Sequence, residues 1–221
     1  MPNFTASLQR LSAIAAIALV LPAVAEAASD KRLAAMTPER FRAAASTVDD
    51  PLEFETVIST ERGYRREKTM KGTVGNDAHL RAVVDKRSGA TRYEVWQEIR
   101  YFGPRRAYHA VHFAAGDDVE RRPLSIARHG ANLCPEPETN GDCVMTKTMA
   151  FAVEEKMLRA VAANYRVGSK DSWKFKFKDG TGSDVVSAIA PAEAAGLLLA
   201  VDDYRATVAS RREPAGRDQA G

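Results

Sequence analysis

Four histidines and two cysteines are the side chains in this sequence best suited to metal or nucleophilic chemistry. His109 and His112 lie three residues apart. On a strand that spacing sends them to opposite faces, so one ion could be shared only across a bulge or in another conformation. His79 and His129 stand alone in sequence. Cys134 and Cys143 enclose residues 135–142, with neither a second cysteine pair nor a histidine set at zinc spacing. Their separation is not that of a thioredoxin-like redox pair. It fits a disulfide pinning a loop in an oxidising compartment. Gly180-Thr181-Gly182-Ser183 lacks the lysine and the opening helix of a phosphate loop and reads as a hairpin turn. No Gly-x-Ser-x-Gly elbow occurs, and Ser125 near Arg128 and His129 does not by itself make a triad. Glu94 and Glu98 could flank a substrate. Their neighbours Arg92 and Arg100 make an alternating charged face the simpler account, since carboxylate separation is a property of the fold. No catalytic residue, metal ligand or cofactor is therefore expected.

Recognition chemistry is better represented. Between Arg62 and Arg106, twelve basic residues stand against five acidic ones. Such a stretch can meet an anionic partner or simply form a solvated sheet face. Within it, residues 91 to 102 alternate: Tyr93, Val95, Gln97, Ile99 and Tyr101 share one face, and Arg92, Glu94, Trp96, Glu98 and Arg100 the other. A tryptophan on a charged face is either covered by a loop or helix or exposed as an anchor for a partner. Trp96, Arg92 and Arg100 are accordingly the candidate interaction surface.

The elements that must position these residues follow from period and punctuation. Thr37 suits an N-cap, with Pro38 and Glu39 opening a short helix. Residues 52 to 60 read as a strand with Leu52, Phe54 and Ile58 on one side. Residues 62 to 77 are polar and irregular. Leu80, Ala82 and Val84 mark a strand over 78–85, and the Ser88-Gly89 turn leads into 91–102. Gly103-Pro104 turns the chain back along 105–115. Residues 123–129 and 143–153 form a further pair closed by the cysteine loop. Met157, Leu158, Val161, Ala162 and Tyr165 have helical spacing. Trp173, Phe175 and Phe177 then alternate with Lys174, Lys176 and Lys178, one buried face and one wet face. Residues 185–189 are the partner strand. Pro191 opens a helix to about Arg205, and 207–221 is expected to be a disordered tail. The short spacing between strands favours antiparallel pairing. The predicted architecture is α+β: a curved antiparallel sheet of about six or seven strands, an N-terminal helix and two helices in the C-terminal half.

The N-terminus sets the compartment. Residues 11 to 24 are apolar apart from Ser12 and Pro22, and Ala25-Glu26-Ala27 fits a small-x-small cleavage site. The run has 14 residues, and spanning hydrocarbon takes about 20. A signal peptide over 1–27, cut after Ala27, leaves one domain over 28–206 with no transmembrane segment. The formal net charge of +3 is unchanged by that cut, because Arg10 and Glu26 cancel. It is too small for a dedicated nucleic-acid binder. The sequence thus predicts an exported, soluble, periplasmic or secreted protein. Its expected role is non-catalytic binding of an unidentified envelope component, anionic if the basic residues contact it. A hydrolase with a site assembled from distant residues and a carrier of an apolar ligand are the alternatives.

Overall fold

The computed structural model describes residues 33–63, 77–102, 104–116, 118–130 and 144–212. The expected signal peptide and the Cys134–Cys143 pair lie outside the described residues. So does most of the irregular 62–77 stretch.

The chain is α+β, and its described residues form ten antiparallel strands in two sheets and three helices. Helix α1 (Pro38–Ala44) begins where expected, with the Thr37 hydroxyl accepting from the Arg40 amide at 3.3 Å. A larger sheet has the order β1-β2-β3-β4-β8-β7. Its strands are β1 (Ser46–Val48), β2 (Glu55–Ser59), β3 (Asp77–Asp85), β4 (Thr91–Phe102), β7 (Ile126–His129) and β8 (Val144–Val153). The smaller sheet runs β10-β9-β5-β6. It comprises β5 (Tyr108–Ala115), β6 (Asp118–Pro123), β9 (Trp173–Asp179) and β10 (Val185–Ile189). Helices α2 (Glu155–Ala163) and α3 (Pro191–Arg212) complete the described chain.

The expected antiparallel sheet of six or seven strands is present with six, and a second, four-stranded sheet is added to it. Residues 102 and 108 do not join a hairpin across Gly103-Pro104. Strand β4 pairs with β3 and β8, and β5 pairs with β6 and β9. The Arg106 amide donates to the Tyr101 hydroxyl at 2.9 Å, and its guanidinium stacks on that ring, which clamps the crossing between sheets. The chain returns at Leu124-Ser125, so the segment expected as one strand over 123–129 is divided between β6 and β7. Two further boundaries shift. Leu52 and Phe54 precede β2 and are exposed, leaving Thr56 and Ile58 as its inward residues. Helix α3 continues to Arg212, through the first six residues of the expected tail. Thr207 and Ser210 sit on its polar side, their hydroxyls donating to the carbonyls of Asp203 and Thr207.

The alternation read from sequence otherwise holds, and it builds the core. Leu80, Ala82 and Val84 on β3 and Tyr93, Val95, Ile99 and Tyr101 on β4 are buried in one cluster. Met149, Phe151 and Val153 on β8 join them. Facing them from the smaller sheet are Val111, Phe113, Phe175, Phe177 and Ile189. Phe151 bridges the layers, its ring stacked 5.8 Å from Phe113 and edge-on 5.4 Å from Phe175. Helices α2 and α3 close the layer with Leu158, Val161, Leu197, Leu198 and Val201. Among the described residues no helix is long and apolar enough to cross a membrane.

Candidate functional site

The outward face of the larger sheet holds the candidate residues Arg92, Trp96 and Arg100. Strand register sets Trp96 between His79 of β3 and Ala150 of β8. Its ring is 9% exposed. The Arg81 guanidinium lies 4.0 Å above the ring centroid, and that of Arg128, from β7, lies 5.8 Å from it. Such stacking is favourable because the ring face is electron-rich. The indole N–H donates to Glu94 at 2.7 Å. Arg81 Nε donates to His79 Nε2 at 3.1 Å, which requires the neutral imidazole with that nitrogen unprotonated. Burial and the Arg81 charge push His79 down to about 3.

Charge on this face is largely matched. Arg92 makes a two-pronged contact with Glu55 and a 3.4 Å contact with Glu94. Arg100 pairs with Glu98 at 3.0 Å, and Arg81 reaches Glu61 at 3.6 Å. The Arg92 hydrogen bond holds the Glu55 carboxyl below its usual range. The structure therefore places all three candidate residues on one surface, but Arg92 and Arg100 are each tied to an acid.

Two other polar clusters were hidden from sequence reading. At one end of the space between the sheets, buried Lys147 donates to the Ala127 carbonyl at 3.3 Å and sits 3.3 Å from His129 Nε2. Burial lowers the pKa of both groups. Nearby Asp179 accepts from the Ala107 amide at 2.6 Å and from the amide and hydroxyl of Thr181, so its lone pairs fasten the turn after β9. Deeper in, the Gln97 amide and the Ser187 hydroxyl are buried without hydrogen-bond partners among the described residues. The second cluster lines a groove of about 320 Å³ between α1, β1 and α3. Its polar groups satisfy one another: Arg42 makes a double contact with Asp203, and Thr56 bonds Asp49 and the Tyr204 hydroxyl.

The outward face of the smaller sheet differs. Register aligns Val186, Lys176, His112 and Arg121 in one row across β10, β9, β5 and β6. Lys178 opposes Ala110 in the row to one side, and Lys174 opposes Ala188 in the row to the other. A shallow groove of about 300 Å³ crosses these strands, lined by His112, Val119, Val186 and all three lysines. Lys178 pairs with Asp184, whose carboxyl is held below its usual range chiefly by that contact. Lys174, Lys176 and Arg121 are exposed and have no ion-pair partner among the described residues. The alternating lysines were legible as a wet strand face. Arg121 and His112 were not, because only strand order brings β5 and β6 beside β9.

The histidine pair resolves in the same way. A bulge does fall at His109, between Tyr108 and Ala110. His109 lies against the Ala107 carbonyl at 3.4 Å, and His112 belongs to the lysine face. Among the described residues no group of three or more His, Cys, Asp or Glu is arranged to hold a metal. No protein-family model matches this chain, and neither a curated protein nor a solved structure matches it.

Proposed function

We propose that this chain is an exported, soluble binding module without catalytic activity of its own, and that it recognises an anionic component of the cell envelope. The observation that carries the reading is the smaller sheet's outward face, where Lys174, Lys176 and Arg121 make no ion pair among the described residues, although Asp184 lies within electrostatic reach of Lys176. Uncompensated charge of one sign on one face generates a local potential that attracts the opposite sign, even when net charge is as small as +3. Export rests on the apolar segment and small-x-small site of residues 11 to 27. In that compartment Cys134 and Cys143 form a disulfide. The carrier alternative loses ground because aromatic rings fill the layer between the sheets. The hydrolase alternative loses ground because Asp179 and Glu94 accept hydrogen bonds from structural donors.

The test is cosedimentation of the purified exported protein with envelope fragments. Retention should be high in dilute buffer and fall in 0.5 M salt (about a 4 Å screening length), because exposed charge pairs are screened. Lys174→Glu with Lys176→Glu should abolish it. Arg100→Glu should not; if it does, the recognition surface is the Trp96 face. No retention at any salt concentration would refute the reading.

A further inference from the structure

We infer that the anionic component is a lipid surface, and that the smaller sheet docks flat onto it as a peripheral membrane contact. The inference rests on the anionic-partner reading above and adds what kind of partner the face fits. Its basic groups are spread over a plane. Lys174, Lys176 and Lys178 run along β9, with successive lysines roughly 6.6 Å apart at strand rise. Arg121 lies two strands away from β9, beyond β5, roughly 9–10 Å at the usual strand separation. A linear polyanion would follow one line of charges, whereas a bilayer presents phosphates across an area.

The apolar residues of the face point the same way. Val186 on the β10 edge is 56% exposed, and Val119 on the β6 edge is 73% exposed. They flank the charged centre at opposite edges of the sheet. In water these side chains gain nothing from that exposure. Against a bilayer they meet the acyl boundary while the lysines extend their flexible stems to the headgroup phosphates. Between the charges, Ala114 and Ala188 contribute only small side chains to the face. Asp184, just before β10, is engaged by Lys178. Lys174, Lys176, Lys178 and Arg121 outnumber it, so the face keeps an excess of positive charge although Asp184 also interacts with Lys176.

The experiment is flotation of the exported protein with vesicles of phosphatidylcholine alone or with 30% phosphatidylglycerol, alongside binding to soluble dextran sulfate. An uncut apolar leader would bind both vesicle types, so the neutral vesicles control for it. The expected result is association with the anionic vesicles only, reversed by salt. Each basic residue near an anionic surface contributes about fivefold to partitioning, so Lys174→Gln with Lys176→Gln should lower it roughly 25-fold. Val119→Asn with Val186→Asn should also lower it, without altering dextran sulfate binding. All four positions are exposed, and unchanged thermal unfolding verifies the fold of each variant. Binding to dextran sulfate but not to anionic vesicles overturns the lipid inference and leaves the anionic-partner reading standing. Binding to neither overturns both. Vesicle binding indifferent to the lysine changes also overturns the inference.

Discussion

His79 shows how a single buried residue ties stability to pH. It is 8% exposed, directly opposite Trp96, and it accepts from Arg81 only while neutral. The unfolded chain binds a proton near the ordinary value of 6.5, whereas the folded chain binds it only near 3. Below 6.5 the unfolded state therefore holds more protons, and stability falls as pH drops through that window, by about 1.4 kcal/mol per unit. Its contribution is fully present above 6.5. Between pH 7 and 5 the native chain should lose about 2 kcal/mol from this residue alone. His79→Gln keeps an acceptor for Arg81 and does not titrate, so urea unfolding at the two pH values should show that loss removed. An identical pH dependence in the variant would mean His79 is protonated in the fold. None of this was legible in the sequence, where His79 is isolated. The same holds for Trp96: alternation placed it on the charged face, but its cover comes from Arg81 and Arg128, which only register brings alongside.

Elements were more legible than their partners. Period-two alternation located β3, β4 and β9, and turn residues located the β3–β4 and β9–β10 hairpins, because both signals are local. Gly89, at φ +74°, adopts the left-handed conformation that such a turn uses. The same logic failed at Gly103-Pro104. A turn fixes a change of direction, whereas the Tyr101–Arg106 contact decides which sheet the next strand joins. Helix–helix contact was equally silent in the sequence. Gly196 is where α1 docks on α3: a Cβ there would fall 2.4 Å from Phe41 Cβ and 2.7 Å from the Pro38 carbonyl oxygen. Gly196→Ala sets two effects against each other. Helix propensity gains up to about 1 kcal/mol, and overpacking against α1 costs about 1–3 kcal/mol. The backbone carbonyl cannot swing aside as a side-chain tip can, so the steric cost prevails. Denaturant unfolding should show net destabilisation, with faster proteolysis near Phe41 as α1 lifts. A more stable variant would place α1 elsewhere.

At the scale of the whole molecule, the two sheets share one interior, and the sequence could not reveal it. Phe175 and Phe177 read correctly as inward on their own strand. Nothing in a one-dimensional pattern says that strands 151 and 175 belong to different sheets facing each other. The polar surface divides along the same line: Arg81, Arg92 and Arg100 on the larger sheet's outward face are paired with acids, and Lys174, Lys176 and Arg121 on the smaller one make no ion pair among the described residues. If the layers are one cooperative unit, Phe151 and Phe175 must be energetically coupled. Their rings meet edge-on at 5.4 Å, a geometry worth about 0.5–1.5 kcal/mol beyond area burial. Alanine at both positions risks unfolding the protein, since each truncation costs about 3–5 kcal/mol. Phe151→Leu and Phe175→Leu remove the rings while keeping apolar bulk. A double-mutant cycle on these variants should give a coupling above about 0.5 kcal/mol, and each variant should unfold in a single transition. Additive losses, or two separate transitions, would mean that each sheet is stabilised on its own and that the shared aromatic layer is not what holds them face to face.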